Sequence, residues 1–386
     1  MLSIYGDSYN LLMGTSLSRP THVLLAGICA SVAGTLPVRA QPSPSVQEQP
    51  APQSQRKKPD VIVAPVPFSS PSSGFGLAAG AVAFYNPNGG PHQWISGGGV
   101  VWTKRGTKGL GTFHSIYLND DRIRIEADAS YLKADDRFYG IGEEAGDRGE
   151  ALNLDNHKLA LKLHAQLRAF EHGFVGIRYQ LLTNDAEPEE GSSVPAPPAD
   201  QLKSTLSLAG PSISYDTRDS HTQPRAGINF TATWLFGIGA LGNSYDHDKL
   251  TLSGKVYGPA GPDTVIALAA NVCAVSGDVP YYGLCLFGSG AALRGYPSGR
   301  YRDRASWALQ SEVRHRFSTR WGGVAFAGIG GIAPSARRLI EDGDLLSSVG
   351  IGVRYLPFKD NDVQLRIDIA VGKNDQGVYL GIGEAF

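Results

Sequence analysis

Three short stretches hold the residue types from which chemistry is built. In YDTRDSHTQPRAG (215–227), Asp216, Arg218 and Asp219 crowd two carboxylates and a guanidinium into four positions. Such a group could gather a metal ion. Aspartates at this spacing also cap the backbone N–H groups of a turn, with Arg218 pairing to one of them, and that is the expectation here. In LRGYPSGRYRDR (293–304), Arg294 precedes Gly295 and Tyr296. A guanidinium can hold its segment through paired hydrogen bonds to a carboxylate, which lysine cannot reproduce. Gly295 permits a tight turn, and Tyr296 would pack against a wall. Third, Cys273 and Cys285 lie twelve positions apart. In an oxidising compartment they either join as a disulfide or stay two thiols.

The motifs of catalysis are otherwise missing. No G-x-S-x-G elbow occurs, and GYPSG around Ser298 has the wrong spacing. The stretches GIGEEA from Gly140 and GIGGIA from Gly328 mimic a dinucleotide fingerprint, but neither opens a helix and the second runs into Pro334. Nine histidines are scattered without an H-E-x-x-H pair, and Ser220–His221 sits inside the aspartate-rich turn. No enzyme activity and no cofactor are expected. A lipid-modifying barrel with a Ser/His pair stays as a minor alternative.

The elements that must position these residues are strands. Of 386 residues, 48 are glycine, about 12% against a usual ~7%. Lys and Arg total 35 against 36 Asp and Glu, so no overall basicity points to nucleic acid. From Gly74 onward, apolar and polar residues alternate with period two. In DVQLRIDIAV, Val363, Leu365, Ile367, Ile369 and Val371 oppose Gln364, Arg366 and Asp368. In HKLALKLHAQLRAF, Leu159, Leu161, Leu163 and Leu167 oppose Lys158, Lys162, His164, Gln166 and Arg168. RIRIEADASY sets Arg122, Arg124, Glu126 and Asp128 on one face, and WALQSEVRHRF sets Gln310, Glu312, Arg314 and Arg316. The runs are roughly 9–13 residues long, the span of a tilted transmembrane strand. Aromatics (Tyr85, Trp94, Trp307, Phe317) sit near run ends, as interfacial girdles do. Short turns at 105–109 and 171–173 alternate with a longer connection at 185–201, as periplasmic turns and outer loops would.

The fold expected is therefore all-β: a transmembrane antiparallel β-barrel of about sixteen strands, the first from Gly74 and a short fifth near 137–142. Ahead of it, residues 1–40 read as a cleaved signal peptide, with a true start at Met13, an apolar core from Val23 and Val38-Arg39-Ala40 before the cut. Residues 41–61 read as a disordered Pro/Gln-rich linker, and 62–386 as the barrel domain. Nothing between signal and Gly74 has the ~50 residues that a folded periplasmic module needs.

At this point the chain resembles the BamA/TamA outer-membrane superfamily, with its surface-antigen barrel domain. Four stretches carry the likeness: PFSSPSSGFGLAAGAVAFY (67–85), like a first strand; YDTRDSHTQPRAG, like the aspartate-rich turn, with Pro224 and Gly227 following; LRGYPSGRYRDR; and the ending GVYLGIGEAF. The resemblance implies an integral outer-membrane protein whose long loop folds back into the lumen as a lid. It also implies an assembly signal in which Val378, Leu380, Ile382 and Phe386 share the lipid face of the last strand. There is one departure. The family often pairs the loop arginine with an aspartate in a Phe-x-Asp-x-Gly stretch, and here Gly328 stands in that place, so Glu312 is expected as the partner.

The implied role is assisting insertion or export of outer-membrane or secreted proteins through a weak seam between first and last strands. That seam would be flanked by Gly74, Gly76, Gly80, Gly381 and Gly383. Partners would be outer-membrane lipid and lipopolysaccharide, the barrel assembly machinery during biogenesis, and client proteins or a separate periplasmic partner. The alternatives are a plugged or passive pore without assembly activity, and the barrel half of a system whose effector is a separate protein.

Overall fold

The computed structural model describes residues 59–386 apart from Pro91, Thr222, 289–292, 342–344 and 357–363. The signal, nearly all of the linker and Val363 lie outside the described residues. Sixteen antiparallel strands close into one barrel. They are β1 (Asp60–Ser70), β2 (Gly74–Tyr85), β3 (Trp94–Thr103), β4 (Lys108–Leu118), β5 (Ile123–Phe138), β6 (Leu152–Phe170), β7 (Gly173–Pro188) and β8 (Lys203–Asp216). The second half comprises β9 (Gly227–Gly237), β10 (His247–Pro259), β11 (Thr264–Gly277), β12 (Ala305–Arg316), β13 (Trp321–Ala333), β14 (Leu346–Tyr355), β15 (Leu365–Gly372) and β16 (Asp375–Ile382).

Alternation is inverted relative to a water-soluble sheet. Ile177 is 67% exposed and Ile351 66%, while Glu312 and Asp368 are 1% and 0% exposed. In water that arrangement would be ruinous. In a bilayer it satisfies both sides, with apolar groups in lipid and polar groups turned to the lumen. Phe75, Trp102 and Trp234 lie toward one rim, and Trp94, Phe170, Phe317 and Trp321 toward the other.

The strand number matches expectation, but two strands differ. Residues 137–142 are not a separate strand: β5 runs on to Phe138, and a short helix, α1 (Glu143–Arg148), follows. The barrel begins earlier than Gly74, because DVIVAPVPFSS pairs along its whole length with β2. Pro65 and Pro67 hid this strand, since proline belongs only on an edge. Gly74, Gly76 and Gly80 are thus one strand in from the seam. Gly76 gives room to the Phe68 ring, and a Cβ on Gly80 would press into the backbone of Gly98.

Connections alternate between rims. The turns at 104–107 and 171–172 therefore fall on opposite rims, and the two short turns do not mark one side. The long connections 139–151, 189–202, 278–304 and 334–345 do share a rim, the one opposite the start of β1.

Candidate functional site: the docked loop and the seam

Loop 278–304 leaves β11 at the far rim and turns down into the barrel. Cys273 on β11 and Cys285 in the loop form a disulfide that fixes its root. Cys285–Leu286 and Arg302–Asp303 pair as a small antiparallel ribbon.

Arg294 lies at the centre, 2% exposed. Its Nη2 donates to Glu312 on β12, and its Nη1 donates to Asp368 on β15 at 2.5 Å. Its backbone N–H donates to Gln310 Oε1 at 3.1 Å, and its guanidinium lies 3.5 Å from the Phe326 ring centroid. Glu312 was nominated from sequence; Asp368 was not, although alternation had turned it inward. The fork is split between two carboxylates rather than clasping one. Gly328 now has a reason as well, because a Cβ there would overlap Leu293 of the loop. Loop packing occupies the room that an aspartate would need.

Gly295 has φ +113, a conformation that side-chain-bearing residues avoid, and its N–H donates to the Tyr379 hydroxyl on β16 at 2.7 Å. Tyr296 is 1% exposed; its hydroxyl donates to the Ser347 carbonyl at 2.6 Å and accepts from Lys373 N–H at 2.9 Å. Arg300 reaches Asp375 at 2.6 Å and the Gly146 carbonyl of α1 at 2.8 Å. The Tyr301 hydroxyl donates to Asp147 at 2.8 Å, and Lys373 pairs with the same carboxylate at 3.0 Å. Burial pushes Asp147 up, but the Tyr301 and Lys373 contacts outweigh it and hold the carboxyl below the usual range. One loop thereby ties α1, β12, β14, β15 and β16 together.

The buried ionic groups continue past the loop. Arg314 donates to Glu312 at 2.7 Å, and Arg354 donates to Asp368 at 2.5 Å and to Glu384 at 2.7 Å. Glu384 also lies 3.8 Å from Arg314. Removing one member of such a group leaves its neighbours with fewer partners in a buried site, which costs more than an exposed pair returns. Glu312→Gln should therefore lower the temperature at which the folded, heat-modifiable band is lost. The shift should be smaller than for Arg294→Ala, because Asp368 still holds the guanidinium. Equal shifts would mean that Asp368 contributes nothing.

The end of the chain departs from expectation. Strand β16 stops at Ile382, and Gly383, at φ +76, turns the backbone inward. Val378 faces outward as expected, 46% exposed, but Phe386 does not follow it to the lipid face. It is 2% exposed and packs with Tyr257, Ala267 and Ala269 on the lumen side. Glu384 is likewise internal and paired, so it does not interrupt a lipid-facing series. The physical reason is the turn at Gly383, which ends the alternation that would have carried Phe386 outward.

The aspartate-rich turn forms as a turn. Asp216 accepts from Arg218 N–H at 3.1 Å, Nε at 2.9 Å and Nη2 at 2.6 Å. Asp219 caps Arg225 and Ala226 N–H at 2.9 and 3.2 Å. Pro224 is buried, and Gly227 has φ +107 against the Thr217 carbonyl. Another constellation escaped the sequence reading. His164 stands between Glu126 (3.0 Å) and Ser212 (2.8 Å), in the spacing of an acid, base and nucleophile. Ser212 is only 2% exposed and His164 6%, so the trio serves as a tie across β7.

A family model described as the Omp85 superfamily domain matches residues 98–386. The chain belongs to the Omp85 superfamily. The fold is similar to BamA from Haemophilus ducreyi lacking POTRA domains 1–3, with TM-score 0.57 and 13% identity over 84% of this chain and 70% of that one. It is also similar to CdiB from Escherichia coli, with TM-score 0.58 and 10% identity over 85% of this chain and 67% of that one. CdiB from Acinetobacter baumannii matches with TM-score 0.57 and 11% identity, over 83% of this chain and 59% of that one. No curated protein sequence matches at a significant level. This Omp85 chain is an integral outer-membrane β-barrel.

Proposed function

We propose that this Omp85 barrel assists insertion or translocation of outer-membrane or secreted polypeptides at the seam between β1 and β16. One observation carries the reading. Among the described residues, Ser69 opposite Leu380 is the single registered pair across this seam, whereas β16 pairs with β15 from Leu365–Ile382 to Gly372–Asp375. Beyond Pro67, which falls opposite Ile382 in the continued register, the edge of β1 meets no further residue of β16, because Gly383 carries the chain inward. A free edge offers N–H and C=O groups to an incoming strand, and backbone pairing of that kind needs little sequence specificity. Pro65 and Pro67, two apart, withdraw donors from one side of β1, which suits a strand that must pair and release. Outer-membrane lipid and lipopolysaccharide surround the barrel, the assembly machinery folds it, and clients or a separate periplasmic partner meet it at the rim where β1 starts.

The test is depletion of the protein with complementation and comparison of outer-membrane proteomes. Wild type should restore specific barrels or secreted proteins. A seam locked by Ser69→Cys with Leu380→Cys should fail until reduced. If the locked protein complements fully, the seam is not the working surface. An unchanged proteome on depletion would favour a plugged pore, the reading that the docked loop supports.

A further inference from the structure

The lipid-facing wall of β3 and β4 carries a polar chain among apolar neighbours. Ser96, Thr112 and His114 share the outward face with Trp102 and Leu110, while Ile95, Val101 and Ser115 are buried on the other face. Ser96 and His114 stand directly opposite in the strand register. Ser96 Oγ lies 2.8 Å from His114 Nδ1 and 2.8 Å from the Tyr85 hydroxyl. His114 Nε2 lies 3.3 Å from Thr112 Oγ1, which itself donates to the Gly97 carbonyl at 2.9 Å. That last bond sets the direction of the others. Thr112 has one hydroxyl proton, already directed at Gly97, so toward His114 it can only accept and Nε2 carries the hydrogen. Nδ1 is then the bare nitrogen; it accepts the Ser96 proton, and Ser96 Oγ accepts from Tyr85. A serine whose proton points at a neutral imidazole, itself oriented from its far nitrogen, is an activated nucleophile. Unlike Ser212 and His164, these groups are open, with His114 and Thr112 exposed and Ser96 half-buried. An ionisable side chain within a membrane span is costly, and a functional role is the default reading of it.

We propose that Ser96 and His114 form an acyl-ester hydrolase site for glycerophospholipids of the inner leaflet. The surroundings fit that substrate. Ser96 is two residues inside Trp94, which on a tilted strand is roughly 5 Å inside the aromatic rim. That rim lies opposite the long connections and is therefore periplasmic. The acyl esters of phospholipids sit at this depth, just inside the headgroups. Toward the membrane middle, Gly98 is registered between Ala81 and Thr112, so the surface beyond Ser96 is low enough to take an acyl chain. In the reaction, Ser96 Oγ attacks the ester carbonyl carbon while His114 Nδ1 takes its proton. The bond from that carbon to the glycerol oxygen breaks, the oxygen leaves with the proton from His114, and the acyl group stays on Ser96. Water, giving its proton to His114, then attacks the acyl carbon; the fatty acid leaves and Ser96 recovers a proton. The Tyr85 hydroxyl is placed to donate to the oxyanion, and Thr112 is a positioning residue that acts through His114. Neither β3 nor β4 borders the seam, so this site stands apart from the reading above.

The purified, folded protein in liposomes of phosphatidylethanolamine and phosphatidylglycerol should release fatty acid, read by mass spectrometry. A long-chain alkyl fluorophosphonate should label Ser96. Ser96→Ala and His114→Ala should each lower release by about 100-fold or more, the usual loss when a nucleophile or its base is removed. Both should keep the heat-modifiable band, because these side chains face outward. Ser212→Ala should leave release unchanged. Thr112→Val should lower kcat with KM unaltered, and Thr112→Ser should restore it. Three outcomes overturn the site: neither release nor label from the folded wild type, release by Ser96→Ala at the wild-type rate, or a label on another residue.

Discussion

Replacing Arg294 with alanine is expected to cost about 3–5 kcal/mol, the penalty for removing one partner of a buried ionic group. It leaves Glu312 and Asp368, 1% and 0% exposed, short of a shared cation. Arg294→Lys should behave nearly as badly. The guanidinium spans a carboxylate on β12 and another on β15 from two separate nitrogens while its flat face lies on Phe326. An ammonium is a point charge that can satisfy one side at most, and it loses the stacked contact. Heat-modifiable gel mobility measures the loss as a fall in melting temperature. A lysine variant that melts with wild type, beside an alanine variant that does not, would mean that charge rather than shape holds the loop.

Removing residues 288–303 is expected to turn a nearly closed barrel into a conducting one. Sixteen strands enclose enough space for an aqueous channel when nothing fills it. Here Leu293, Arg294, Tyr296 and Tyr301 of the loop, each no more than 2% exposed, pack against the inner wall. Single-channel conductance in planar bilayers should rise several-fold on deletion, with mild anion selectivity. Arg122, Arg168 and Arg316 lie at turns or strand ends and do not enter that charge count. The inward strand cations Arg124, Lys158, Lys162, Arg178, Lys249, Lys255, Arg314, Arg354 and Arg366 still outnumber Glu126, Asp128, Asp136, Glu312 and Asp368. A ring of such groups favours anions inside a pore. Wild type conducting like an open porin would remove the loop from the lumen; cation selectivity after deletion would contradict the wall charge.

Much of the site was legible before any coordinates, for identifiable reasons. Glu312 could be nominated because period-two alternation gives every strand residue a side, and only inward carboxylates can meet a loop in the lumen. Asp368 met the same criterion on β15 and was passed over, since nothing in a one-dimensional pattern says which of two inward carboxylates sits at the arginine's depth. Depth depends on strand tilt and stagger, which are properties of closure. Cys273 and Cys285 could be paired or free by sequence; loop geometry brought them together. The first strand was hidden because its prolines read as linker composition, and only pairing with β2 along Asp60–Ser70 makes it a strand.

The loop motif was implied by the family resemblance; the alternating pattern by itself determined that this chain is a membrane barrel and which side each strand residue faces. The latter two follow from local backbone geometry, in which successive side chains must point to opposite faces. Only the tertiary structure decided what happens where alternation stops. At Gly383 a single left-handed residue redirects the tail, so Phe386 leaves the lipid face and Glu384 enters the lumen. That turn is stabilised by Arg314 and Arg354, residues 72 and 30 positions away in the chain. Their position beside the tail exists only once β12 to β16 have paired into a curved wall, because β14 and β12 lie two and four strands from β16 and turn these side chains into the lumen.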